Sequence, residues 1–266
     1  MVGKLFEFIN YSADKLQLLL LIMLRASGLF LMAPIFGHRN VSSMIRAGLL
    51  ILLSLILVSS LSLEPLPVST SLWQLAGLAF RELLVGVVVG LVFNLIFMAI
   101  HTAGSLLGYQ MGFAVVTQYD ANLSGQVSIL GRLWYIVAVL IFLTIDGHHL
   151  MIHAFADSYE LVPPGAAYAG GTFADLFIRL TAYIFVLALK IAAPVTVTLF
   201  VTDVALGTIA KTMPTLNVFF MGMPLKIGIG LTVMAMALPA AAWVFQRAIG
   251  YFDTQLDLVL NALGKA

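Results

Sequence analysis

The run LLVGVVVGLVFNLIFMAIHTAGSLLGYQMGFAVVTQY, residues 83–119, contains no Asp, Glu, Lys or Arg, and its one titratable side chain before the final tyrosines is His101. A helix needs about 20 apolar residues to cross a bilayer, so this run is too long for a single crossing. We therefore predict a hydrophobic helix near residues 83–103, followed by a segment of a different kind.

The composition of the whole chain agrees with a membrane protein. Of 266 residues, 62% are hydrophobic and 9% are charged, and the mean hydropathy is +1.08. Soluble domains are usually near 45–50% apolar and about 25% charged, so a water-soluble fold is excluded. The formal net charge of +1 gives no electrostatic reason to expect nucleic acid. The absence of cysteine excludes disulfides and thiolate chemistry.

The rest of the chain extends this pattern on both sides. Further apolar runs occupy residues 16–35, 47–63, 133–145, 180–202 and 227–246. Together with 83–103 they predict about six main hydrophobic helices, some kinked or broken, in one all-α membrane domain covering 1–266. The run 16–35 is longer than a signal-peptide core, so we expect a retained helix there. Lys and Arg are divided almost evenly between the two faces, so they do not fix an orientation.

Three charged residues, Arg25, Lys190 and Asp203, lie inside or at the edge of these hydrophobic runs. A lipid-facing charge costs at least about 2.5–3.5 kcal/mol, so such residues normally face a bundle interior, a partner or water. We predict that they are buried charges. Two roles remain open: a satisfied ion pair between helices, or a direct part in a conduit.

Glycine spacing adds two grooves. Gly86 and Gly90 are four residues apart, and Gly104, Gly108 and Gly112 repeat the interval twice. On a helix, such spacing lets another backbone approach closely. For the first pair we favour ordinary packing within the chain. The second series differs because it leads into polar and β-branched residues.

The residues that follow, 115–126, are poor helix formers. An irregular backbone among membrane helices survives only where it is buried in protein or lines a water-filled cavity. This segment is therefore the first candidate for an element that moves or blocks.

Enzymatic chemistry is not supported by the motifs. His149 and His153 are spaced i, i+4 like zinc-protease ligands, but position 150 is Leu where the general base should be Glu. A structural zinc held by His149, His153 and Asp157 is the weaker alternative, and helix-end histidines are favoured. Asn122 stands where a serine elbow before Ser124 needs Gly, and no phosphate-binding loop is present. We predict no enzyme activity, no cofactor and no metal.

The C-terminal region predicts an amphipathic helix. Asp253, Asp257, Asn261 and Lys265 recur every four residues, and Phe252, Leu256, Val259, Leu260 and Leu263 fill other faces. Two interpretations stay open for the apolar face: contact with the membrane interface, or docking on partner subunits.

Several motifs in a fixed order resemble one protein family. They are Arg25 and Pro34, Arg46, Glu82-x-x-x-Gly86-x-x-x-Gly90, Ala103-Gly104, Gln110-Met111-Gly112-Phe113, Asp120, Asp146-Gly147-His148, Ser158, Pro163 and Gly165, and the run from Pro214 to Lys226. Over nearly the whole chain they resemble the FliR family of flagellar biosynthetic proteins, whose injectisome counterpart is the SctT family. Two positions depart from the family pattern: Ala121 replaces a proline and Thr215 replaces a glutamine.

The resemblance implies a subunit of the central gate of the flagellar type III protein export apparatus, needed for flagellum assembly. It implies FliP-type and FliQ-type partner subunits, FlhB-type and FlhA-type export proteins nearby, and unfolded exported proteins as substrates. The expected location is the bacterial inner (cytoplasmic) membrane, at the flagellar basal body.

The resemblance also implies a plug loop at 106–126 that closes the channel. Its expected residues are Gly108, Tyr109, Gln110, Met111, Gly112, Phe113 and Asp120, with Gly108 and Gly112 bending the loop into the pore and Met111 and Phe113 sealing it. A second set is expected at the gate or at a subunit interface: Pro214, Asn217, Phe219, Phe220, Met221, Met223 and Lys226. The alternatives are the injectisome subunit, or a small-molecule transporter with Lys190 and Asp203 at its substrate site.

Overall fold

A computed structural model describes residues 2–37, 41–60, 71–113, 128–168, 170–213 and 217–264. These residues form seven helices: α1 (Val2–Met32), α2 (Ser43–Ser60), α3 (Leu72–Gln110), α4 (Ile129–Thr144), α5 (Gly147–Leu161), α6 (Gly171–Thr212) and α7 (Val218–Gly264). In the described part of the chain, five helices are long and apolar enough to cross a membrane. The number rises to six if α4 and α5 count as one interrupted span. The predicted all-α, multi-span fold is confirmed.

Local sequence explains how these helices begin and continue. The Ser128 hydroxyl accepts a hydrogen bond from the Gly131 amide at 3.0 Å and caps α4. Pro194 lies inside α6, and Pro224 and Pro239 lie inside α7, where each removes one helical hydrogen bond. Hydroxyls within the apolar helices bond to the carbonyl four residues earlier, as Thr198 does to Pro194 at 2.9 Å. A hydroxyl bonded in this way is satisfied within its own helix, without water.

The chain divides into two compact units. The first contains Met1–Asn94, Gly147–Leu180 and Tyr251–Ala266, and the second contains Leu95–Asp146 and Thr181–Gly250. Three long helices, α3, α6 and α7, contribute a segment to each unit. That residues 1–266 act as a single domain stays a prediction from the sequence.

The first unit has a core formed by the facing sides of α1, α3 and α5. Its fully buried apolar members include Leu21, Ile22, Leu29, Val85, Val89 and Phe155. The C-terminal segment of α7 belongs to the same core, with Phe252, Leu256 and Val259 completely buried. The Tyr168 amide donates to the Leu263 carbonyl at 2.8 Å and fixes the end of that segment. The apolar face of the tail therefore packs on its own chain, which neither interpretation of its sequence predicted.

The second unit is built around an aromatic cluster. The ring of Phe97 on α3 lies 5.6 Å from Tyr135, 5.4 Å from Phe142 and 5.7 Å from Phe245, centroid to centroid. The contacts with Phe142 and Phe245 are edge-to-face, and such contacts at these distances add to the stabilisation from burying the rings. The cluster joins α3, α4 and α7.

Large apolar surfaces remain exposed on the chain. On α2 the exposed side chains include Met44, Ile45, Ile51, Leu52, Leu55 and Ile56. On α6 they include Phe185, Leu189, Val197, Phe200, Val201 and Val204. Soluble monomers rarely expose apolar patches of this extent, so these faces are suited to lipid or to other protein.

Candidate functional site

Arg25 lies at the centre of a closed polar network in the first unit. Its side chain and that of Glu82 are fully buried, and Arg25 Nε donates to Glu82 Oε2 at 2.7 Å. Nη2 donates to Glu82 Oε1 at 3.2 Å and to the Val162 carbonyl at 3.0 Å. Nη1 donates to the carbonyl and the hydroxyl of Ser158, at 3.0 and 3.2 Å. All five donors of the guanidinium are therefore used.

The remaining contacts of this network bind the turn after α5. Glu82 Oε1 also accepts from the Gly165 amide at 2.7 Å, and Arg81 donates to the Gly165 carbonyl at 2.9 Å. The Arg25 guanidinium lies 4.0 Å from the centroid of the Tyr159 ring, a cation–π contact. Of the two roles that the sequence left open for Arg25, the contacts support the satisfied ion pair between helices.

Glycines bring α1 and α3 close enough for this pairing. A Cβ on Gly86 would lie 2.8 Å from the Arg25 carbonyl carbon, and one on Gly28 would lie 2.7 Å from the Val87 nitrogen. A Cβ on Gly90 would meet the Leu29 carbonyl oxygen at 2.7 Å. These distances are shorter than real Cβ contacts, so only glycine fits. Gly86 and Gly90 therefore serve packing within the chain, as the sequence favoured.

In the second unit, the predicted plug begins inside a helix. α3 continues to Gln110, so Gly108 is helical and does not bend a loop. A Cβ on Gly108 would lie 3.1 Å from the Ser128 hydroxyl, and one on Gly104 would lie 2.7 Å from the Leu130 carbonyl oxygen. Both glycines therefore allow α3 to pass close to the start of α4. The sequence predicted that Gly108 bends a loop into the pore, but in the structure Gly108 is a helical residue that allows close packing against α4.

The chain leaves α3 through a corner at Gln110–Gly112. Gly112 has φ +89°, a conformation that glycine adopts readily and other residues rarely do, so the chain turns at this glycine. The Gly112 amide donates to the Tyr109 carbonyl at 3.1 Å and closes the turn. Phe113 is partly buried and Tyr109 is 73% exposed. Asp120 and the rest of the predicted plug from 114 to 126 lie outside the described residues.

Met111 fills a gap on α7. Its side chain is completely buried, and a Cβ on Gly230 would lie 2.9 Å from its sulfur and 3.0 Å from its Cγ. One residue further on, a Cβ at Gly112 would lie 3.5 Å from Met223 Cγ. Methionine suits such a contact because its flexible thioether adapts to irregular gaps.

Lys226 and Asp203 lie beside this corner. Lys226 Nζ forms an ion pair with Asp203 Oδ1 at 2.5 Å and donates to the Gln110 carbonyl at 3.5 Å, the long limit of a hydrogen bond. The Asp203 side chain is 50% exposed and that of Lys226 is 22% exposed. Asp203 is thus paired but not buried on the chain, in contrast with the prediction.

Lys190 is also exposed on the chain, where its ammonium lies 5.7 Å from the Tyr183 ring centroid. Of the three charges predicted to be buried, only Arg25 is buried here. The prediction was wrong for Lys190 and Asp203 on the single chain because one side of each helix faces outward. Hydropathy along the sequence does not show whether a charged residue lies on that side. A partner or water remains as the neighbour of Lys190.

The predicted gate or interface run is described in part. The Asn217 carbonyl accepts from the Phe220 amide at 3.1 Å and from the Met221 amide at 3.3 Å, so Asn217 caps the start of α7. Phe220 and Met221 are 75% and 63% exposed. Pro214 lies outside the described residues. Phe219 lies in α7, but its side chain is outside the description.

The zinc alternative is not assembled by the fold. In the described residues, the ligand atoms of His149, His153 and Asp157 are not all close enough to one another to bind a single metal ion. His153 and Asp157 are instead exposed on α5. The His148 and His149 rings lie 4.2 Å apart, centroid to centroid.

Sequence reasoning missed several functional neighbours. Glu82 was noted only as part of a motif, although it is the partner of Arg25 across 57 positions. Ser158, Tyr159 and Gly230 were not assigned these contacts at all. The one available signal was charge pairing, because a buried arginine requires an acidic partner and Glu82 stands at the start of the longest apolar run.

These features define an all-α membrane protein whose spans carry buried and half-buried ion pairs. The family of bacterial export proteins, family 1, matches residues 16–251. The flagellar biosynthetic protein FliR of Bacillus subtilis (strain 168) is 32% identical over 257 residues, which is 96% of this chain and 97% of that protein. FliR of Escherichia coli (strain K12) is 30% identical, covering 83% and 84% of the two chains. FliR of Pectobacterium carotovorum is 32% identical, covering 78% of each.

The chain therefore belongs to the bacterial export family of FliR-type flagellar biosynthetic proteins, and the resemblance read from its motifs is confirmed. The relatives are named for flagellar biosynthesis and not for a catalytic activity. Their names indicate no catalytic activity, and that the chain is not an enzyme stays a prediction.

Proposed function

We propose that this protein is a subunit of the central export gate of the flagellar type III apparatus, with the segment that begins at Gln110 as its plug. The observation that carries the proposal is the corner Gln110–Gly112. There a long apolar helix ends, the buried Met111 contacts Gly230 on α7, and Gly112 turns the chain with a positive φ. A closure of this kind needs an apolar seal that can repack, which methionine supplies.

The exposed faces support assembly with other subunits. α2 and the outer sides of α6 and α7 carry large apolar side chains, and α6 also carries the exposed Lys190. A surface that combines apolar residues with an isolated charge is better suited to a protein partner than to lipid alone. FliP-type and FliQ-type subunits, together with FlhB-type and FlhA-type proteins, are the proposed partners, and unfolded flagellar proteins are the proposed substrates.

The names of the relatives favour the flagellar over the injectisome system, since they are flagellar biosynthetic proteins. The proposed location is accordingly the inner membrane at the flagellar basal body. A small-molecule transporter would place Lys190 and Asp203 at a shared substrate site. Asp203 is instead paired with Lys226, which gives that alternative no support.

Deletion of residues 109–118 tests the plug. We expect cells that carry the deletion to assemble the export complex and to leak small ions, because the corner and its seal are removed. Assembly is measured by purifying the tagged chain in mild detergent and identifying the subunits that come with it. Ion leak is measured from the membrane potential of the same cells.

The control is the full-length tagged chain at the same expression level. Normal assembly with unchanged conductance contradicts the plug assignment. A tagged full-length chain that purifies as a stable monomer, without two further small helical subunits, contradicts the gate proposal as a whole.

A further inference from the structure

We propose that a cavity between α1, α2 and α3 binds one acyl chain of an anionic phospholipid, with the phosphate of that lipid at Arg46. The cavity has a volume of about 700 Å³, and all the residues that line it belong to the first unit. The corner at Gln110 takes no part in it, so this inference goes beyond the proposed function and does not depend on it.

The walls of the cavity are almost entirely apolar. Of the ten residues that line it, eight are leucine, methionine or alanine, and α1 supplies seven of the ten. The polar members are Gln17 and Ser27, and the Ser27 hydroxyl donates to the Leu24 carbonyl of its own helix at 2.7 Å. The volume lies within the usual range of ligand sites, about 300–1,000 Å³, and walls of this kind suit a hydrocarbon better than a polar ligand.

The lining follows the axis of α1 over three turns. Leu16 and Ser27 are eleven positions apart, which corresponds to about 17 Å along a helix. On α3, Leu75 and Ala79 are four positions apart and therefore lie on the same side of that helix. A cavity of this length beside a helix axis fits an extended chain better than a compact ring system.

The cavity is accessible from the outside of the helices. Leu16, Leu20 and Leu75 line it and are also exposed at the surface of the chain. All three helices are long and apolar enough to cross a membrane. An acyl chain can therefore enter sideways from the bilayer without passing a polar layer.

The packing of the three helices explains why the space exists. α2 buries Ser54 and Leu57, and of the described lining residues it supplies Leu50 alone. α1 and α3 are held against each other by the Arg25–Glu82 pair and the close contact at Gly86. Neither helix can move to close the cavity without breaking these contacts.

The energy of binding comes from filling the cavity and from charge. Lipid tails in the bilayer are already in apolar surroundings, so the hydrophobic effect does not drive a tail from the bilayer into the cavity. The tail instead gains dispersion contacts with wall atoms on several sides. These contacts do not distinguish one phospholipid from another, so selectivity must come from the headgroup.

Arg46 supplies the charge that selects the headgroup. It lies in the first turn of α2 and precedes Leu50 by four positions, so the two residues share one side of the helix. A guanidinium binds a phosphate through two parallel hydrogen bonds. An anionic phospholipid therefore matches the site at both ends, whereas a zwitterionic one carries an ammonium of its own that competes with Arg46 for the phosphate.

Photo-cross-linking in vesicles tests the site. The purified assembly that contains the full-length tagged chain is reconstituted in phosphatidylcholine vesicles with a small fraction of phosphatidylglycerol that carries a diazirine in its acyl chain. After irradiation, peptide mass spectrometry locates the adducts. We expect adducts on Met23 and Leu24, which line the cavity and are half-buried.

Two phenylalanine variants of α3 separate the cavity from ordinary lipid contact. Ala79→Phe fills the cavity, and Ala76→Phe adds the same bulk at an exposed position of the same helix. We expect the adducts on Met23 and Leu24 to fall at least fivefold in Ala79→Phe and to stay unchanged in Ala76→Phe. Thermal unfolding in detergent checks that both variants fold, and Ala79→Leu, which adds less volume, replaces Ala79→Phe if that variant does not. Equal adduct yields in the filled and control variants overturn the proposal.

Neutralising Arg46 tests the headgroup. Arg46→Gln is expected to lower the adduct yield from phosphatidylglycerol about two- to fivefold, the size expected from a partly exposed ionic contact. Arg46→Lys should recover part of the yield because it keeps the charge. The control is Arg247→Gln, which removes a cation that stacks on Trp243 in the second unit.

Two results contradict the headgroup assignment. One is an equal yield in the native chain from phosphatidylglycerol and from phosphatidylcholine with the same photoreactive chain. The other is a loss in Arg247→Gln as large as the loss in Arg46→Gln, which would indicate a general effect of charge.

A protein occupant gives a different outcome from a lipid. If a helix of another subunit or another part of this chain fills the cavity in the assembly, Met23 and Leu24 receive no lipid adducts and the proposal is wrong. The test is also independent of the plug. The adducts should persist in the 109–118 deletion, whether or not the membrane of those cells leaks ions.

Discussion

Two ion pairs among the described residues, Arg25–Glu82 and Lys226–Asp203, place the same kind of contact in opposite surroundings. Arg25 and Glu82 are both fully buried, and the guanidinium uses all five of its donors. Lys226 and Asp203 are partly exposed, and their only other described contact is a long one to a carbonyl. The first pair is suited to holding helices together in the interior of the chain, and the second lies where water and salt reach it. Arginine also suits the first site because its planar fork binds a carboxylate at two points.

The difference in burial between the two pairs shows that a charged residue in an apolar run is not necessarily enclosed by its own chain. Arg25 lies within one apolar run and Asp203 at the edge of another, and both were predicted to be buried, yet only Arg25 is enclosed. The two pairs differ in how many donors of the cation are hydrogen-bonded and in how much of each side chain is exposed. Both quantities depend on neighbours that are distant in sequence.

Removing Arg25 is expected to have the largest effect on stability. Arg25→Met leaves the Glu82 carboxylate buried without its cation, and breaking a buried pair in this way costs about 3–5 kcal/mol. We expect a large loss of assembled protein in the membrane and a lower midpoint of thermal unfolding in detergent.

The double variant Arg25→Met with Glu82→Gln tests whether the unpaired Glu82 charge causes the loss of stability. Because it removes the buried charge as well as its partner, it should recover part of the lost stability. Arg81→Ala is the matched control, since Arg81 is exposed and makes a single hydrogen bond to the Gly165 carbonyl. If Arg81→Ala destabilises the chain as much as Arg25→Met does, the network is not centred on Arg25.

Gly86→Ala is expected to have the next largest effect. An added Cβ would lie 2.8 Å from the Arg25 carbonyl carbon, so α1 and α3 must move apart. This movement lengthens the distance between Arg25 on α1 and Glu82 on α3. Overpacking of this kind costs about 1–3 kcal/mol. The measurement is the same thermal unfolding in detergent.

Gly77→Ala on the same helix provides the matched control, because a Cβ there meets nothing within 4 Å. Alanine is the better helix former, so this change should be neutral or slightly stabilising. Similar losses in both variants would show that the close approach of α1 and α3 is not the cause.

The sequence predicted the helical class and the number of spans because hydropathy is a local property of each run. It placed the end of the helix near residue 103, whereas α3 continues to Gln110. A helix can continue through Gly104 and Gly108 where another helix covers the bare backbone, and α4 does so here. Chain neighbours alone do not show that cover.

The candidate site was predictable only as far as residue types allowed. Met111 and Gly112 were identified from their motif, and both lie at the corner. Gly230 was not, since a glycine in an apolar helix gives no signal of which side chain fills its gap. The packing of Phe252 and Leu256 on the chain itself was missed for the same reason: an amphipathic pattern predicts an apolar face but does not identify what covers it.

Asp203→Asn is expected to have the smallest effect on stability, because it removes the partly exposed pair and leaves the buried Arg25–Glu82 pair intact. Half of the Asp203 side chain is exposed, and exposed pairs contribute between about 0 and 1 kcal/mol. The midpoint of thermal unfolding should therefore move little, and the small shift should shrink further in high salt, which screens the wild-type pair. A loss as large as that of Arg25→Met would mean that the assembled complex buries this pair too. In that case the second ion pair is a buried structural contact like the first, and its exposure on the single chain does not measure its contribution in the complex.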